Sequence, residues 1–123
     1  MNLKLVFKIS AVVSLINGVG LLFMTSIFFE MANLTMSPSL VTVGQFLGVT
    51  VLFLALVQWR IPDIAGDATS SLGQLWGIGQ VLWLIIVGYH IMTGQAGGST
   101  AYINAVLFIV FAVLFFMYSK KSD

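Results

Sequence analysis

Four long apolar runs, separated by short polar connections, constrain this 123-residue chain more than any other feature. They extend from Leu5 to Phe29, Leu40 to Trp59, Leu72 to Met92 and Tyr102 to Tyr118. Each approaches the roughly 20 residues that an α-helix needs to cross a hydrocarbon core of about 30 Å. Between them they leave no room for a soluble domain. The chain therefore reads as a single transmembrane domain over residues 1–123, all-α, an antiparallel four-helix bundle of four transmembrane helices. Composition argues against a soluble helical core. Hydrophobic residues make up 59% and charged residues 7%, against about 25% charged in soluble domains, which is too little polar surface to wrap such a core.

Lys4 and Lys8 stand at the start of the first run, before its uninterrupted apolar stretch, as in a secretory signal. Its apolar part, however, continues from Ile9 to Phe29, beyond the usual signal core of about 7 to 15 residues, and no small-x-small cleavage pattern closes it. It reads as a retained span. The chain contains no cysteine, so it has neither a disulfide framework nor a thiolate metal site.

Lys4 and Lys8 at the start of the first run, Arg60 between the second and third, and Lys120 and Lys121 after the fourth account for every basic residue. The other two connections carry none. An even number of spans puts these basic regions on one face, which the positive-inside rule makes cytoplasmic, with both termini there. Size and texture suggest a bacterial inner membrane. So one-sided a bias argues against a protein that inserts in both orientations. The net charge of +1 gives no case for nucleic acid, and two C-terminal lysines are too few for a polybasic lipid patch. The expected partners are the lipid bilayer and either further copies of the chain or a larger membrane complex.

Boundary signals make the connections short. Ser37 and Pro38 offer an N-cap and a first-turn proline to the second helix, and Pro62 is placed just past its end. Gly94, Gly97 and Gly98 end the third helix, and Ser99 and Thr100 are placed to cap the fourth. Connections over residues 30–39, 60–71 and 93–101 make sequential helices antiparallel neighbours.

Within the spans, Gly44-Gln45-Phe46-Leu47-Gly48 is echoed 29 residues later by Gly73-Gln74-Leu75-Trp76-Gly77. Small residues four apart let membrane helices approach closely. Gly44, Gly48, Gly73 and Gly77 are read first as packing positions, with an oligomeric role as the alternative. The first helix adds a stripe of Ser10, Ser14, Asn17 and Gly18, which should face protein rather than lipid.

Two polar groupings are candidate sites. Asn17 and Gln80 lie near mid-bilayer, Gln80 between Trp76 and Trp83. An amide in hydrocarbon needs a partner, so an Asn17–Gln80 hydrogen bond is expected, with a ligand pocket as the alternative. Toward the other leaflet, Glu30, Gln45, Tyr89, His90, Tyr102 and Asn104 should share one depth and could line an outward-facing cup. Interfacial wetting is the plainer account of these residues. A site for a polar headgroup or small ligand, with His90 and Glu30 as titratable pair, is the sharper one.

Chemistry is sparse. A metal centre wants three or more His, Cys or carboxylate ligands, and this face offers one His and one carboxylate; no metal or cofactor is assigned. A haem would need a second axial histidine from another chain. Glu30 lies at the boundary rather than within the membrane, unlike the acid of a proton-coupled transporter. Asp63 beside Arg60 reads as a solvated loop pair, and Asp67 as favouring the start of the third helix. No Ser-His-acid grouping is evident, and no catalytic residue is assigned. Asn33-Leu34-Thr35 fits a glycosylation acceptor, and Phe108, Phe111, Phe115 and Tyr118 read as packing or lipid contact.

With the run Gly-Gln-Val-Leu-Trp from Gly79 to Trp83 and an amide early in the fourth helix, Asn104, the chain resembles small bacterial four-span membrane proteins grouped as families of unknown function. The resemblance implies the four-span architecture and carries over no functional residue. The chain differs from small multidrug resistance transporters in lacking their glutamate inside the first helix, and it lacks the patterns of a fluoride channel.

Two functions are weighed. One is a non-enzymatic membrane protein acting through self-association or as an accessory subunit, motivated by small-residue faces and short loops. The other is a binder or carrier of a lipid, quinone or other small apolar molecule, motivated by Gln80 and the cup. An enzyme comes third, because acid–base chemistry would rest on His90 and Glu30 alone.

Overall fold

The computed structural model describes residues 1–120; Lys121, one of the basic residues, lies outside them. The chain forms α1 (Leu3–Phe23), α2 (Thr25–Glu30), α3 (Pro38–Ile64), a single 3-10 turn (Gly66–Ala68), α4 (Thr69–Met92) and α5 (Gly98–Tyr118). The fold is an all-α four-helix bundle, with no strand among the described residues. α1, α3, α4 with its preceding turn, and α5 are long and apolar enough to cross a membrane, the property of an integral membrane protein.

Three boundaries differ from the sequence reading. The first run breaks at Met24, whose φ of −129° and ψ of 44° are not helical. The reason lies at Gly20. A Cβ there would overlap the ring of Phe28, so the chain turns after α1 and folds the Phe28 ring into the notch the glycine leaves. Second, α3 runs through Pro62 to Ile64 instead of stopping at Trp59. Buried Ile61 (7% exposed) and the ion pair of Asp63 described below hold this last turn around the proline, which has no N–H to give to the helix ladder. Third, neither Ser99 nor Thr100 caps α5, which starts at Gly98 without a side-chain cap. Its first amides are bonded from across the bundle: Gly97 N–H donates to Ala32 O at 2.8 Å and Thr100 N–H to Met31 O at 3.4 Å. Ser37 does cap α3, its hydroxyl accepting from Leu40 N–H at 3.1 Å, with Pro38 in the first turn.

The helices pack as two pairs, α1 with α3 and α4 with α5. Each copy of the glycine motif builds one pair. A Cβ on Gly48 would stand 2.7 Å from Leu22 N and 3.1 Å from Gly18 O, and one on Gly18 would stand 3.0 Å from Leu52 N, so here α1 and α3 touch backbone to backbone. Gly44 seats Thr25 and Phe29 of α2, and in α4 Gly73 seats Ser119 and Leu3 while Gly77 lies against the Phe116 ring.

The pairs join at the end that carries Lys4, Lys8, Arg60 and Lys120, the basic end. Val6, Phe7, Ile61, Phe111 and Phe115 form the core cluster there. The Phe7 ring meets Phe115 edge-on at 4.9 Å and Trp76 at 6.0 Å, bringing α1, α4 and α5 together. Lys8 stitches α1 to α3: its Nζ donates to Asp63 Oδ2 at 2.7 Å and to Trp59 O at 2.6 Å, and sits 4.2 Å from the centre of the Trp59 ring. Lys4 adds a contact of 3.5 Å to Asp63. Asp63 thus pairs with α1 rather than with its loop neighbour Arg60. Away from this end the pairs separate, and α3 and α4 hardly touch.

Candidate functional site: a cavity between the helix pairs

Separation of the pairs leaves a cavity of about 810 Å³, within the roughly 300 to 1,000 Å³ of small-molecule pockets. The aromatic core closes its basic end, where Phe111 forms part of the wall. At the far end the roof consists of Phe28, Phe29 and Ala32 on one side and Gln95 and Ala96 on the other. The Gly97–Ala32 hydrogen bond latches those two segments together.

The helices line the space unequally. α3 contributes apolar Leu47, Val51 and Leu54 until Gln58 at the bottom. α1 contributes Ser10, Ser14 and Asn17, α4 contributes Gln80 and His90, and α5 contributes Thr100 and Asn104. An aromatic belt crosses the middle, where Trp83 stacks on Phe108 at 5.9 Å with 17° between the rings. None of the described Lys, Arg, Asp or Glu residues is in the wall.

The deepest polar group is self-contained. Gln58 is 2% exposed; its Oε1 accepts from the Ser10 hydroxyl and its Nε2 donates to Ser14 Oγ at 3.0 Å. The amide bonded to α1 is therefore Gln58 and not Gln80, contrary to the expected Asn17–Gln80 pairing. Asn17 and Gln80 both face the cavity without a hydrogen bond joining them. His90 Nδ1 is buried without a partner, and at the far end of α4 the backbone amides of Gln95 and Ala96 fold back onto His90 O at 2.9 and 3.1 Å.

The expected cup divides. His90 and Asn104 line the cavity, whereas Glu30, Gln45, Tyr89 and Tyr102 are exposed and lie outside its wall. Trp76 and Trp83 both line it, on the same face of α4 as Gln80. Of the small residues, Gly18, Gly44, Gly48, Gly73 and Gly77 are buried against the chain's own side chains or backbone. No group of three or more His, Asp or Glu side chains assembles among the described residues.

No family model, curated protein or solved structure matches the chain. What the site can do is therefore read from its own atoms. A largely apolar space with scattered amides and no described Lys, Arg, Asp or Glu in its wall can hold an apolar body and fix it by a few hydrogen bonds. Among the described residues no hydrogen bond joins His90 to a hydroxyl of the wall, the contact by which a base activates a nucleophile.

Gln58 was missed in the sequence because it stands two residues before Arg60 and reads as a boundary polar residue. The available signal was its helical spacing with Leu54, Ala55 and Ile61, which places it on the inward stripe.

Proposed function

We propose that this protein binds a small lipid-like molecule drawn from the surrounding bilayer and holds it between its helix pairs. The observation that carries this reading is the cavity itself. A bundle of this size that served only as scaffold would close its pairs together to native packing density, and here they stay apart over most of their length. Proposed with it is an orientation in which the basic end is cytoplasmic, as the distribution of Lys4, Lys8, Arg60 and Lys120 favours, in a bacterial inner membrane. Assembly through the glycine faces, the other function weighed from the sequence, has less support, because Gly18, Gly48, Gly73 and Gly77 are occupied within the chain.

Gly79 provides a test. It lines the cavity, and a Cβ there would meet nothing within 4 Å, so Gly79→Phe projects a ring into the empty space without disturbing a helix contact. Total lipid extract should raise the melting temperature of the wild-type protein in detergent, since a ligand at about 100 times its Kd adds about 2.7 kcal/mol to stability. Gly79→Phe should melt independently of the extract. An equal response of both proteins would sink the reading.

A further inference from the structure

We propose that the cavity selects its lipid by charge: the occupant has an uncharged head bearing hydrogen-bonding oxygens, of the quinone or acylglycerol kind, and its chain lies along α3. This rests on the binding function proposed above and adds the chemical class of the ligand.

The head is specified by what the wall contains and omits. A phosphate or carboxylate removed from water needs a cation or several charge-assisted donors, most often from Arg or Lys, and uncompensated burial of such a charge is prohibitive. The described Lys and Arg side chains, Lys4, Lys8, Arg60 and Lys120, lie outside the wall, which leaves His90 as its one titratable side chain among the described residues. What the wall does offer is neutral amides free of the Gln58 network. Gln80 stands twelve residues before the end of α4, Asn104 six residues into α5 and His90 two residues from the end of α4. At 1.5 Å per residue these lie about 18, 9 and 3 Å below the far end. With Asn17 of α1, Gln80 and Asn104 form a ladder of neutral amide donors and acceptors on three helices, suited to carbonyl, ester or hydroxyl oxygens.

The tail follows from the remaining wall. α3 presents Leu47, Val51 and Leu54 to the cavity, and α3 hardly touches α4. Leu75 and Ile86, in the wall on α4, keep 60% and 45% of their surface accessible. A chain lying along α3 can thus pass sideways into the bilayer while the head stays among the amides. The stacked rings of Trp83 and Phe108 offer a flat surface to a planar head such as a quinone.

The test uses the full chain in nanodiscs and three probes of one chain length: a decyl-substituted benzoquinone, 1-decanoylglycerol and decyl phosphate. Retention after washing is measured by mass spectrometry against Gly79→Phe nanodiscs as background. Both neutral probes should exceed decyl phosphate by at least about tenfold, a difference of about 1.4 kcal/mol. Asn104→Leu and Gln80→Leu, made separately so that one unfolded variant does not end the test, should each lower retention of the neutral probes severalfold while circular dichroism stays unchanged. Decyl phosphate retained as well as the neutral probes, and lost in Gly79→Phe, would overturn the charge selection and leave lipid binding standing. No probe retained above background would overturn both.

Discussion

Gln58 joins α1 to α3 through two serine hydroxyls, and the two glycines Gly48 and Gly79 show how position rather than residue type sets the effect of a change. Interhelical hydrogen bonds in membranes average about 0.6 kcal/mol and reach about 1.7. Gln58→Leu should therefore lower stability by about 1 kcal/mol, and the loss should be strongly non-additive with Ser14→Ala in a double-mutant cycle measured by thermal unfolding in detergent. Additive losses would place the serines and the glutamine outside one network. Gly48→Ala puts a methyl 2.7 Å from Leu22 N, where backbone cannot yield, and should cost about 1 to 3 kcal/mol. Gly79→Ala meets nothing and should be neutral or stabilising by up to about 1 kcal/mol, since alanine favours the helix. The sequence shows both as glycines in apolar runs, and only the packing distinguishes them.

Among the elements, the connections were less legible than the spans. Run length and hydropathy suffice to place helices, because the bilayer demands internally bonded backbone wherever it is crossed. The break at Met24 depends on Phe28 reaching back to Gly20, and the start of α5 depends on carbonyls of residues 31 and 32; neither contact has a local signature. The far-end latch offers a prediction at this scale. Gly98 has a φ of +73°, and a Cβ there would overlap Met31 O. Gly98→Ala should strain the turn by about 1 to 2 kcal/mol and loosen the roof. Hydrogen exchange of the Gly97 and Thr100 amides should accelerate in this variant while amides of the basic-end helix turns keep their wild-type rates. Unchanged exchange at Gly97 would show that its bond to Ala32 does not hold the roof closed. Lys8 makes the opposite case. Its pairing with Asp63 ties α1 to α3 across a long sequence separation, yet the carboxylate is solvent-accessible, so Asp63→Asn should leave thermal stability in detergent nearly unchanged.

For the whole molecule, the four spans, their count and the shared end for the basic residues could be read from hydropathy and charge. The short connections implied that sequential helices are neighbours, which holds for α1 with α3 and for α4 with α5 but not for α3 with α4, which hardly touch; the glycine motifs marked close-packing positions without naming a partner helix. The cavity was not legible. Asn17, Gln80, Trp76, Trp83, His90 and Asn104 were recognisable as inward candidates from spacing and polarity, but depth along a span cannot separate them from Glu30, Gln45 and Tyr102, which share the far end and face outward. That distinction depends on the rotation of each helix, which packing sets. Nor can spacing show that the pairs stand apart, since the same stripes would serve a closed bundle. The central claim is that this separation exists to hold a molecule. Native mass spectrometry of the wild-type chain released from membranes in mild detergent tests it most directly. Lipid binding between the helix pairs predicts a protein carrying a discrete, reproducible and uncharged adduct that is absent from Gly79→Phe; a fixed oligomer or foreign subunit with no small-molecule adduct would overturn it.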